Sequence, residues 1–143
     1  MSTDWVPGDV PPADEVTADF WDATREHRLT VQTCACGHRQ HPPRALCTSC
    51  GATEALSQAA SPGRGVVDAY TVVHRAPRPD LAVPYVVARV RLDEGVLLLS
   101  RLEGRHDPEA WSIGDAVGVA WADLPDGRAL PFFLPTDPTE ESR

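Results

Sequence analysis

The sequence predicts a mainly β protein in which a short N-terminal helix and a cysteine-rich ribbon precede a five-stranded barrel. Three observations predict it. Fourteen prolines and ten glycines in 143 residues break the chain into short elements joined by frequent turns, at the expense of long helices. Beyond residue 65 come five β-branched segments separated by turn residues, the pattern of successive strands. Ahead of them the four cysteines fall in two close pairs. A chain of this length fits one ordinary domain, or one domain with a module too small to hold a core of its own, and the cysteine pairs favour the second.

Taken in order, residues 1–13 hold three prolines and little periodicity, and read as a mobile arm. From about Asp14 the pattern changes to that of a helix, which is expected to run to about Glu26. Thr17 is placed to cap it, Asp14, Glu15 and Asp19 lie near its start, and Arg25, His27 and Arg28 lie near its end, as the helix dipole favours. Val16, Phe20, Ala23 and Thr24 share one face, with Trp21 beside them. Packing on the chain's own core is the plainer reading of Phe20 and Trp21. Docking onto another protein is the alternative, because a ribbon puts little core beneath the helix. Leu29 to Gln32 alternates as a strand leading into the ribbon of residues 33–56, so that helix and ribbon together span 14–56.

Residues 57–65, rich in Gly, Ser and Pro, read as a hinge. The barrel is expected over 66–135, with strands at 66–75, 85–92, 96–102, 116–122 and 129–134, and five is the strand count of an OB-fold. Asp93-Glu94-Gly95 joins the second and third strands and Leu124-Pro125-Asp126-Gly127 the last two, with both glycines free to take positive φ. In the 103–115 connection, Asp107 before Pro108 predicts a capped short helix. Residues 136–143 form a polar tail expected to fray.

The net charge is −8, and all thirteen basic residues are arginine. An acidic chain is repelled by phosphate backbones and anionic membranes, so neither nucleic acid nor membrane is an expected partner. The absence of lysine reflects a GC-rich composition. Arginine still recognises phosphate by a planar fork, so a few well-placed arginines suit a phosphorylated small molecule. The chain shows no run of about twenty apolar residues and no basic-then-apolar N-terminus. A cytoplasmic location is therefore expected, where paired cysteines bind metal more often than they form disulfides.

Cys34-Ala35-Cys36 and, ten residues on, Cys47-Thr48-Ser49-Cys50 are each followed by a glycine, Gly37 and Gly51. Two tight loops that supply four soft ligands suit a tetrahedral ion, and the glycines allow backbone amides to turn toward the sulfurs. Structural zinc is the reading, ahead of a redox dithiol or an iron site on the same cysteines, and of disulfides. The first pair is tighter than the usual two-residue spacing, which leaves His38 or His41 as substitutes for one cysteine. Four thiolates leave no open position, so the ion orders the ribbon and catalyses nothing.

These residues resemble the family catalogued as domain of unknown function thirty-five, a rubredoxin-like zinc ribbon followed by an OB-fold. The match lies in Phe20-Trp21 and Leu29, in Cys36-Gly37, Pro42-Pro43-Arg44, Cys47 and Cys50-Gly51, and then in four barrel segments. Those are Gly63-Arg64-Gly65-Val66-Val67, Tyr70-Thr71-Val72-Val73-His74, Pro84-Tyr85-Val86-Val87-Ala88 and Asp93-Glu94-Gly95-Val96. It covers about residues 14–135, and departs from the pattern at the first cysteine, displaced by one position toward Cys36. The resemblance implies an accessory subunit that binds a thiolase-like protein and helps to hold an acyl-CoA. Retro-aldol cleavage of a steroid side-chain CoA thioester is the first expectation, and an acyl-CoA thiolase or enoyl-CoA hydratase as partner is the alternative.

No Gly-x-Ser-x-Gly elbow, phosphate loop or dinucleotide fingerprint is present, and the cysteines are assigned to metal, so no catalytic residue is expected. His74, Asp93 and Glu94 read as strand-end or turn groups. A single-stranded nucleic-acid module is the rival from another class. The strands carry Tyr70, Tyr85 and Trp121 without a basic stripe, which argues against it. The candidates for CoA phosphates are Arg39, Arg44, Arg75 and Arg78; for partner docking, Phe20 and Trp21; for zinc, Cys34, Cys36, Cys47 and Cys50.

Overall fold

The computed structural model describes residues 10–136, so most of the expected arm and tail lies outside the described residues. One α-helix, α1 (Ala18–Thr24), is followed by β1 (Leu29–Cys34), β2 (Arg39–Gln40) and β3 (Leu56–Ser61), which form a three-stranded antiparallel sheet in the order β2-β1-β3. Strands β4 (Arg64–Val73), β5 (Tyr85–Leu92), β6 (Leu97–Leu102), β7 (Ala116–Asp123) and β8 (Ala129–Pro135) close into a barrel in the order β4-β5-β6-β8-β7. None of the described helices is long and apolar enough to cross a membrane.

The helix is shorter than its composition suggests, and Thr17 does not cap it with its side chain. Asp14 does that work from one turn earlier. Its Oδ1 accepts the amides of Val16 at 2.9 Å and Thr17 at 2.8 Å and the Thr17 hydroxyl at 3.0 Å, and the Thr17 amide first among these holds the carboxyl below the usual range. Two of the basic residues after the helix, Arg25 and His27, make tertiary contacts, while Arg28 pairs locally with Glu26. Arg25 Nη1 donates to the Asp126 carbonyl at 2.8 Å, and His27, at φ 55, stacks on Trp121 and meets Asp123 at 2.6 Å.

Residues 57–65, expected as a hinge, instead supply most of β3, which pairs with the whole of β1 from Leu29↔Ser61 to Cys34↔Leu56. The turn into β4 is then only two residues long. The Ser61 hydroxyl donates to Glu94 Oε1 in the β5–β6 hairpin at 2.9 Å and fastens the sheet to the barrel. Every expected barrel strand is present to within two residues. In β5, burial alternates along the strand with Val86, Ala88, Val90 and Leu92 inward, as a pleated strand with one wet face requires. Gly95 and Gly127 take φ 90 and φ 93 in their hairpins. Asp107 Oδ1 accepts the Glu109 amide at 2.9 Å and caps a single 3₁₀ turn, Pro108–Ala110. Trp111 after it is buried in the core at 2% exposure, and its carbonyl accepts the Tyr70 hydroxyl at 2.7 Å.

One core serves both halves. Phe20 from α1 and Leu29 and Val31 from β1 belong to the same buried cluster as Val67, Val90, Leu102 and Phe133 of the barrel. The helix thus has a core beneath it after all, because the barrel reaches under the ribbon.

Candidate metal centre and the ribbon–barrel groove

The four cysteine sulfurs lie within 4.8 Å of one another. Cys34 Sγ stands 3.6 Å from Cys50 Sγ, and Cys36 Sγ stands 3.8 Å from Cys47 Sγ. A tetrahedral zinc bonded to sulfur at about 2.3 Å separates its ligands by about 3.8 Å, and a disulfide would need about 2 Å, so the spacing fits the ion. Cys34 takes its place despite the short first loop, since it ends β1 with its amide bonded to the His38 carbonyl at 2.9 Å. Neither histidine joins the group: His38 Nε2 is 2.9 Å from Thr48 Oγ1, and His41 packs on Phe20 with ring centroids 5.3 Å apart.

Backbone amides do turn toward sulfur, but they come from Ser49 and Cys50, which approach Cys47 Sγ at 3.4 and 3.5 Å. Gly37 and Gly51, at φ 96 and φ 79, donate instead to the carbonyls of Cys34 and Cys47 and close the two turns. The amides of Cys50 and Ser49 draw the Cys47 thiol down to about 6 against burial. At Cys34 the Cys36 amide pulls in the same sense. Burial and the thiols of Cys36, Cys50 and Cys47 outweigh it and push Cys34 up to about 12. The negative charge therefore rests on Cys47 before Cys34, and a divalent ion that binds the group displaces the proton from Cys34.

Two buried glutamines brace the loop between the cysteine pairs, a feature that the sequence does not announce. Gln40 Nε2 donates to Gln32 Oε1 at 2.6 Å and to the Leu46 carbonyl at 3.0 Å, and Gln40 Oε1 accepts the amide and hydroxyl of Thr48 at 2.8 and 2.9 Å. Gln32 in turn clamps the backbone of Arg44, donating to its carbonyl and accepting its amide, both at 2.9 Å. Gln32 and Gln40 face each other across β1 and β2, so the first strand pair sets the position of the second cysteine loop.

The four candidate arginines are scattered. Arg39 and Arg44 are exposed in the ribbon, Arg75 is exposed after β4, and Arg78 is half-buried with its Nε 3.5 Å from Asp80. Arg44 lines a polar groove that also contains Glu15 and Asp19, and none of the described grooves is lined by two of the four. Phe20 is 7% exposed and belongs to the core, as the plainer reading of the helix has it. Trp21 is half-buried, edge-on to Phe20 at 5.4 Å and under the Arg128 guanidinium at 4.5 Å. Both border a mostly apolar groove of about 440 Å³ where the ribbon meets the barrel, walled by the Pro42-Pro43 turn, by Leu98 and Leu99 of β6 and by Leu130 and Pro131 of β8.

Residues 21–56 match the family model of the ChsH2 rubredoxin-like zinc ribbon domain, and residues 58–122 that of the ChsH2 C-terminal OB-fold domain. A probable enoyl-CoA hydratase alpha subunit of Thermomonospora curvata is 39% identical over 86% of this chain. The 3-oxo-4,17-pregnadiene-20-carboxyl-CoA hydratase alpha subunit of Mycobacterium tuberculosis is 38% identical over 81%. The chain spans only 39% and 37% of those two subunits. Among solved structures, a chain of the Ltp2-ChsH2(DUF35) aldolase superposes with a TM-score of 0.78 at 35% identity, covering 88% of this chain and 98% of that one.

Proposed function

Because this chain belongs to the DUF35 family, as a ChsH2-type zinc ribbon joined to an OB-fold, we propose that it is a non-catalytic accessory subunit of an acyl-CoA enzyme. It binds a thiolase-fold partner, and the reaction it supports is retro-aldol cleavage of a steroid side-chain CoA thioester. The observation that carries this reading is the match to 98% of a chain in an aldolase complex. The likeness to part of two CoA-ester hydratase subunits supports the acyl-CoA substrate class.

In this reading Cys34, Cys36, Cys47 and Cys50 hold one zinc in a closed tetrahedron. With no open position, the ion fixes the fold of the ribbon and leaves the chemistry to the partner. Trp21, over the Phe20 anchor, contributes to the docking face, together with the exposed leucines Leu97 and Leu99 on β6, which are 39% and 73% exposed. Arg39, Arg44, Arg75 and Arg78 are the candidates to meet the CoA phosphates once the partner is in place, by forked hydrogen bonds.

The test is co-expression with a candidate thiolase-fold protein from the same genome. The two are expected to elute as one complex that turns over a CoA ester, with activity lost when either is omitted. Reversing charge at Arg75 and Arg78 raises the Michaelis constant for the ester at least several-fold. A chain that elutes alone, or that is active by itself, refutes the subunit reading; unchanged Michaelis constants refute the arginine assignment.

A further inference from the structure

The four cysteine sulfurs differ in access. Cys34 and Cys47 are buried at 7% and 1% exposure, while Cys36 and Cys50 are exposed. Each cysteine loop therefore contributes one inner and one outer sulfur. The close contacts run between the loops and join unlike members: outer Cys50 lies 3.6 Å from inner Cys34, and outer Cys36 lies 3.8 Å from inner Cys47. Reactivity toward an external reagent follows access and nucleophilicity. Access singles out Cys36 and Cys50. The amides of Ser49 and Cys50, meanwhile, turn toward inner Cys47 and draw charge from it.

An oxidant that reaches an outer sulfur finds the second sulfur already in place. The thiolate of Cys36 or Cys50 attacks one oxygen of hydrogen peroxide, the O–O bond breaks, a hydroxide leaves and the sulfur becomes a sulfenic acid. The inner thiolate beside it, Cys47 or Cys34, then attacks the oxidised sulfur, forming the S–S bond and expelling a second hydroxide. Two electrons pass from the two sulfurs to one peroxide. Each cross-loop pair has to close by less than about 2 Å to reach the disulfide length.

We infer that the cysteine cluster is a peroxide-sensitive modification site, at which Cys50 couples to Cys34, Cys36 couples to Cys47, and the bound zinc is released. The thiolate is the metal ligand, so the ion leaves as its thiolates are consumed. The new bonds join the same two loops that the ion held together. The ribbon therefore stays closed, and reduction restores the site. None of this depends on which protein the chain accompanies.

The experiment exposes the full zinc-loaded chain to hydrogen peroxide and follows released zinc with a chromophoric chelator. About two peroxides are consumed per zinc, and dithiothreitol with added zinc returns one ion to the four-cysteine group. Cleavage at Arg39 and Arg44 puts the two cysteine loops on separate peptides. Mass spectrometry without reductant should find those peptides joined, with fragmentation assigning Cys34 to Cys50 and Cys36 to Cys47. In the chain before oxidation, limiting iodoacetamide should label Cys36 and Cys50 about tenfold faster than Cys34 and Cys47. Zinc retained under a large excess of peroxide, cysteine peptides that separate, or Cys34 paired with Cys47 overturns the assignment. Equal labelling of all four sulfurs does the same.

Discussion

His41 is drawn by burial from 6.5 down to about 4, and a depressed base has a definite effect on stability. The unfolded chain takes up the proton near pH 6.5 while the folded chain resists it. The neutral ring therefore contributes its full share above pH 6.5, and that share is lost as pH falls toward 4, about 3 kcal/mol in all. Urea denaturation at pH 7.5 and pH 5 should show a loss of about 2 kcal/mol that His41→Phe does not share. Parallel pH profiles for the two proteins would contradict it. The four cysteines could be read from the sequence because spacing and flanking glycines are a signal of their own. The side chains around them could not. Gln32 and Gln40 look like ordinary strand polars until β1 and β2 are paired and bring their amides together.

At the scale of elements, the barrel strands were legible because β-branched runs alternate in burial and end at glycine turns. Strand β3 was not, for a physical reason. Leu56-Ser57-Gln58-Ala59-Ala60-Ser61 has no β-branched residue and is only partly buried, so its conformation is imposed by pairing with β1 and not by its own preference. The helix begins after Thr17 as expected, but the side chain that accepts the amides before it is Asp14, which only the turn at residues 15–17 brings into place. The β1–β2 pair carries the prediction that belongs at this scale. Gln40→Leu fills the same space but leaves the Thr48 amide, the Leu46 carbonyl and the Gln32 amide oxygen each short of a partner. Losing such support lowers metal affinity by about 10- to 100-fold, which competition against a chromophoric zinc chelator measures. Equal affinity in the variant would mean that the glutamine pair does not position the second cysteine loop.

For the whole molecule, a shared core makes the ribbon and the barrel one cooperative unit. Phe20, Leu29 and Val31 lie in the same cluster as the barrel's inner residues, and β1 carries both Leu29 and Cys34. Structural zinc contributes about 10 to 16 kcal/mol in ribbon-sized peptides, so its removal is felt beyond the ribbon. Elemental analysis should find one zinc per chain. Thermal unfolding should be a single transition that drops by more than about 10 °C after chelation. A separate barrel transition, unmoved by chelator, would show that the two halves fold independently.

The barrel closes where β6 and β8 run parallel, through a single register pair, Leu102↔Phe133. The Glu103 amide donates to the Phe133 carbonyl at 3.0 Å and the Ser100 hydroxyl to that of Pro131, so residues 131, 133 and 135 turn their backbone groups toward β6. Two of those three are prolines with no N–H. When this narrow closure loosens, β8 therefore offers few donors to a foreign strand. The barrel can breathe at its weakest line without becoming a template for aggregation.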